Sequence, residues 1–158
     1  MVHLFSLERF VEAQRSVLTQ VQRELSEGRK HTHWMWFVFP QLRGLGRSET
    51  ARQFGITNLA EAEAYLHHPV LGSRLVDCTR LVNALEGRTA RQIFDNPDDM
   101  KFCSSMTLFA AVAPNVPDFS AALSKYFNGR PDLITLRRLK RIADSRTIEI
   151  ADVPAPQN

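Results

Sequence analysis

His31-Thr32-His33-Trp34-Met35-Trp36-Phe37-Val38-Phe39-Pro40 is the stretch whose reading decides whether this chain contains a sheet. It is short and aromatic, and its pattern alone fits a buried strand as well as a buried helix. A strand here finds no obvious partner elsewhere in the sequence. A short helix is therefore predicted, closed by Pro40 because the residue before a proline resists helical geometry. On that reading the chain is all-α, a single-domain bundle of short and medium helices.

The flanking segments agree. Upstream, Ser6 opens a helix in which Leu7, Phe10, Val11, Val17, Leu18, Val21 and Leu25 recur at helical spacing. Gln14 interrupts the stripe and Gly28 is a natural stop. Downstream, residues 41–47 read as a loop, and Ser48 caps a short helix ending near Gly55. Thr57 caps a helix over 58–66. Pro69 starts the next, with Leu71, Leu75, Cys78, Val82 and Leu85 on one face and Gly87 at its end. Thr89 starts a short helix through Phe94. Asn96-Pro97-Asp98-Asp99 opens a longer one, with Met100, Cys103, Met106, Phe109 and Val112 three residues apart. Residues 118–127 form a helix stopped by Asn128-Gly129, and Asp132 caps a last helix to about Ala143. The expected organisation is one helical domain over 1–144 and a tail over 145–158. Within that tail, 147–153 carries the only other strand-like alternation.

Composition bounds the class. The 158 residues, 44% hydrophobic and 23% charged, are one ordinary globular domain and not a disordered chain. The formal net charge is only +3. Part of the basic excess sits in Arg137, Arg138, Lys140, Arg141 and Arg146. No aromatic residue is interleaved there, so the stretch reads as a solvated helix face and does not point to nucleic acid. Cys78 and Cys103 lie in apolar helical patterns and form no Cys-x-x-Cys pair, which predicts buried free thiols in a reducing cytoplasm. No signal peptide is evident, and no apolar run approaches the ~18 residues of a membrane span.

Chemistry is concentrated where the aromatic segment runs into Arg43-Gly44-Leu45-Gly46-Arg47-Ser48. Two glycines let backbone amides approach a ligand, and two arginines carry forks that fit phosphate or carboxylate. Ser48 opens a helix whose N-terminus favours an anion, and Trp34 or Trp36 is placed to stack on a ring. The plainer reading is an aromatic core helix followed by a tight surface loop. There is no Walker lysine and no preceding strand. The histidines pair as His31/His33 and His67/His68 without the spacing of a metal site, so no metal and no cofactor is expected. His68, just before Pro69, also has a simple use as a helix-start residue. In Asp98-Asp99-Met100-Lys101-Phe102-Cys103-Ser104-Ser105-Met106-Thr107, Lys101 can pair with a first-turn carboxylate. The hydroxyls are less expected, since they compete with helix backbone bonds. No Gly-x-Ser-x-Gly elbow supports a serine hydrolase.

Three blocks resemble the family called domain of unknown function 1810. They are the Trp34–Gly46 segment; Phe54-Gly55-Ile56 with Glu61 to Leu75, which holds His67-His68-Pro69-Val70-Leu71-Gly72-Ser73-Arg74; and Asp99-Met100-Lys101-Phe102-Cys103-Ser104-Ser105-Met106-Thr107-Leu108-Phe109. Phe127-Asn128-Gly129 and Asp132-Leu133-Ile134-Thr135-Leu136 fit as well. The resemblance spans about residues 5–140. It implies an all-helical fold and carries over no established activity. Some relatives bear the label calpastatin, which belongs to disordered, repetitive inhibitors and does not suit a globular, unrepeated chain. One departure stands out: Asp95 or Asn96 occupies the place of a glycine expected shortly before Asp98-x-x-Lys101.

The matching residues include several that a core does not need: His33, Gln41, Arg43, Ser48, His68, Arg74, Lys101 and Ser104. They lead to a pocket for a small anionic, nucleotide-like or phosphate-containing ligand, with hydrolytic or transfer chemistry as an extension. Arg43, Arg74 and Lys101 would hold the anion, Trp34 or Trp36 would stack, and His33 or His68 would be the acid–base group. The alternative is a non-catalytic helical interaction module using an exposed apolar groove.

Overall fold

Helix α8, Asp98–Val112, organises the molecule. A computed structural model describes residues 5–151, with the backbone alone for 146–151. Every residue of α8 from Phe102 to Phe109 is buried. The helix packs against α3 (Met35–Val38), α5 (Leu59–His67), α7 (Ala90–Phe94), α9 (Pro117–Phe127) and α10 (Leu133–Ala151). The expected three-residue stripe is thus one side of a helix buried all round. Two of its hydroxyls are tolerated there because they turn back on their own helix. Thr107 Oγ1 donates to the Cys103 carbonyl at 2.8 Å and Ser104 Oγ to the Met100 carbonyl at 3.1 Å. Ser105 Oγ is buried with no partner among the described residues.

The remaining helices complete an all-α fold: α1 (Glu8–Arg15), α2 (Leu18–Glu27), α4 (Glu49–Gln53) and α6 (Leu71–Ala84). There is no strand among the described residues. Leu42 and Ile56 share a single parallel bridge, which pins the 41–47 loop to the end of α4. The aromatic segment forms the short helix α3, as its reading requires. Trp34, Met35, Val38 and Phe39 are buried. Phe39 meets Phe102 edge-on at 5.1 Å, and Phe94 stacks on Phe102 at 4.6 Å. Such pairs add about 0.5–1.5 kcal/mol each beyond the area they bury.

Five expectations need correction. The first helix is two, because the backbone tightens after Gln14: the Val17 N–H turns back to the Gln14 carbonyl at 3.1 Å. Gln14, read as an interruption, is buried. Its amide donates to the Phe37 carbonyl at 2.6 Å and the Tyr65 hydroxyl at 3.0 Å. Asn58, not Thr57, caps α5, since its carboxamide accepts the Glu61 N–H at 2.9 Å while Thr57 donates to the Glu61 carboxylate. Pro69 precedes α6 by a short turn instead of opening it. The last helix passes the expected end at Ala143 and reaches Ala151. The alternation over 147–153 therefore lies in helix up to Ala151 and outside the described residues beyond it. Ser48, Thr89 and Asp132 cap α4, α7 and α10 as predicted.

The departure from the family glycine falls on a particular conformation. Asp95, at the end of α7, has φ 62° and ψ 166°, a region almost reserved for glycine. Holding a side chain there costs roughly 1–3 kcal/mol.

Candidate functional site

The end of the aromatic segment, the glycine–arginine loop and the first turns of α8 and α10 enclose a cavity of about 340 Å³. Trp36, Gln41, Gly44, Leu45 and Gly46 line it from one side. Pro97, Met100, Lys101 and Ser104 contribute from α8, and Asp132, Ile134 and Arg138 from α10. That volume lies within the range of small-molecule sites, near its lower end.

Each polar group is positioned by a local cause. Lys101 Nζ sits 3.9 Å from the Trp36 ring centroid and 3.1 Å from Asp98. The other Asp98 oxygen holds Lys30 at 2.8 Å, and Lys30 in turn lies over Trp34 at 5.1 Å. One carboxylate thus fixes two ammonium groups against two indoles. Asp132 spends Oδ2 on capping α10 and accepting from Ser104 Oγ at 3.2 Å. Arg138 donates from Nε to the Arg43 carbonyl at 2.8 Å, and its guanidinium lies close against Gly44. A Cβ at Gly44 would stand 2.0 Å from that guanidinium, and the residue's φ of 96° also requires glycine. Gln41 is only 6% exposed and lines the cavity.

Four residues singled out in the sequence therefore meet in one cavity: Trp36, Gln41, Lys101 and Ser104. The others are elsewhere. Trp34 is core, its Nε1–H donated to Glu24 at 3.1 Å. Arg74 donates to Gln14 Oε1 at 3.3 Å. Ser48 caps α4, and Arg43 offers the cavity's edge its carbonyl, its side chain being exposed. His33 is exposed on the turn before α3. His68 accepts the Val70 and Leu71 N–H groups on Nδ1, each at 3.2 Å, so it serves as a start residue for α6. Sequence reasoning missed Arg138 and Asp132. Asp132 was legible as a cap, but its place beside Ser104 was not. Arg138 was indistinguishable from its solvated neighbours.

Both thiols are poor nucleophiles. Burial, and then the nearby Asp77 charge, push Cys78 up to about 12; burial, and then Asp132, push Cys103 up to about 11. Among the described residues no three His, Cys, Asp or Glu side chains gather as a metal site. A larger groove of about 580 Å³ lies along α5 and α6, but its polar side chains are exposed and its Arg80 is already paired with Asp118 at 3.1 Å. No helix among the described residues is long and apolar enough to cross a membrane.

The chain belongs to the family described as protein of unknown function (DUF1810), whose family model matches residues 4–139. It is similar to the crystal structure of the conserved hypothetical protein Rv1873 from Mycobacterium tuberculosis. The identity is 54% and the TM-score 0.86, covering 87% of this chain and 99% of that one. No curated protein matches.

Proposed function

We propose that the cavity between the 41–46 loop, α8 and α10 binds a small anionic metabolite, with a phosphate or carboxylate held between Lys101 and Arg138 and an apolar part against Ile134 and Met100. The observation that carries this reading is Gln41. Its carboxamide, both donor and acceptor, stands beside two cations, Lys101 and Arg138, on one ligand-sized cavity. Trp36 changes role. Lys101 already lies over its ring, so the indole positions the ammonium instead of stacking a base. Binding is favoured over turnover, because neither His33 nor His68 lines the cavity and Ser104 is tied to a capping carboxylate.

A thermal-shift panel of nucleoside phosphates, phosphorylated sugars and small carboxylates tests the proposal. At least one compound is expected to raise Tm. Gln41→Ala and Arg138→Ala are each expected to weaken it about tenfold or more, the size of a lost hydrogen bond to a charged group, with Arg137→Ala unchanged. A folded protein that responds to nothing in the panel overturns it. The interaction-module alternative would then rest on the exposed Met100, Leu133 and Ile134 beside the cavity.

A further inference from the structure

Arg29, Arg88 and Arg91 converge with Lys30 on a second concavity of about 360 Å³, formed by the chain after α2 and by α7. The only carboxylate lining it is Asp95. Lys30 is committed to Asp98, but the three arginines have no ion pair or hydrogen bond from their guanidinium groups among the described residues. Four cations and one carboxylate give this cavity a formal +3, equal to the net charge of the whole chain. Like charges gathered without counterions repel, and a multiply charged anion relieves that repulsion. Arg88 is also placed, not merely tethered. Its side chain lies across Gly28 at the end of α2, where a Cβ would stand 2.9 Å from Nε.

We infer that this concavity is a second anion site, for a compact phosphoanion carrying two or more charges, distinct from the cavity beside Gln41. Guanidinium forks match phosphoryl oxygens in pairs. A concave cluster suits a compact anion better than the extended backbone of a nucleic acid, which calls for a stripe. Asp95 is the odd member, a strained residue that puts a negative charge among the arginines. Asp98 connects the two cavities, since its two oxygens hold Lys30 in one and Lys101 in the other.

Calorimetric titration with pyrophosphate and with inorganic phosphate, at low and at moderate salt, tests the inference. Saturable one-to-one binding of pyrophosphate, tighter than phosphate, is expected. Arg88→Ala combined with Arg91→Ala should weaken it at least tenfold, and Asp95→Gly should tighten it severalfold. Arg137→Ala with Arg141→Ala should leave it unchanged. Lys101→Ala should leave saturable binding in place, which separates this site from the first cavity. Absence of saturable binding, or equal loss in the Arg137/Arg141 pair, overturns the inference. So does a single-stranded oligonucleotide that binds through Arg88 and Arg91 where pyrophosphate does not.

Discussion

Glu24→Ala is expected to destabilise the fold by about 3–5 kcal/mol, a large part of the total stability of a domain this size. Glu24 is 1% exposed and lies in the last turn of α2, facing the start of the aromatic segment. Its Oε1 accepts the His31 and Thr32 N–H groups at 2.6 and 2.9 Å and the Trp34 indole N–H at 3.1 Å. Its Oε2 accepts the Thr32 hydroxyl at 2.6 Å and the Gln20 amide at 3.0 Å. Alanine leaves those donors without an acceptor, and it frees the turn that aims Trp34 into the core. Glu24→Gln keeps the shape but is neutral, like the protonated carboxyl, so its expected cost is about 2–3 kcal/mol, below that of alanine.

The same carboxylate sets an acid limb. Burial pushes its pKa up, but hydrogen bonds from Thr32, His31 and Gln20 outweigh that and bring it from 4.5 to about 2. A group depressed in the folded state stabilises it above the ordinary value and loses that contribution as pH falls to the folded one. Roughly 3 kcal/mol should therefore disappear between about pH 4.5 and pH 2. Urea unfolding across that range should show a steeper loss in wild type than in Glu24→Gln. Parallel curves would remove Glu24 from the account.

Gly72→Ala is expected to lower stability by about 3 kcal/mol, and Tm by roughly 6–12 °C. Glycine to alanine inside a helix ordinarily gains about 1 kcal/mol, so the predicted sign is inverted. The reason is a close approach between backbones. A Cβ at Gly72 would stand 2.0 Å from the Leu66 carbonyl oxygen, in the elbow between α5 and α6. His68 closes that elbow by accepting the Val70 and Leu71 N–H groups, so the chain cannot open there without losing the start of α6. Ser73→Ala, next along and exposed, is the control and should be near neutral. A stabilised Gly72→Ala protein would contradict the elbow geometry.

The all-α class was legible in part because three helices carry their own start signal: Ser48, Thr89 and Asp132 cap what they were expected to cap. The aromatic segment was settled by the lack of a partner strand, and the Phe39 contact with Phe102 explains why so short a helix persists. What stayed hidden depends on contacts far apart in the chain. Gln14 looks like a flaw in a stripe until Phe37 and Tyr65 stand beside it. The surface of α8 is polar enough in sequence to suggest one apolar face, yet Ser104, Ser105 and Thr107 are small enough to be buried with the rest.

The candidate cavity was half legible for the same reason. Gln41, Lys101 and Ser104 stood out as polar residues a core does not need, and Trp36 as a ring placed to stack. Arg138 joins them only because the 41–47 loop folds onto α10, through a hydrogen bond between residues 95 positions apart. Nothing in a basic helix distinguishes it from Arg137. His68 carried two readings in sequence, and the structure uses it as a helix start.

The most direct test of the candidate cavity uses nitrogen-15 spectra of the side chains. The chain has two tryptophans, so two indole signals serve as paired reporters, one at the cavity and one in the core held by Glu24. On titration with a compound that raises Tm, the Trp36 indole and the Gln41 amide signals should shift together and saturate at one equivalent, while Trp34 stays in place. Saturable binding that leaves Gln41 and Trp36 unmoved would contradict the site.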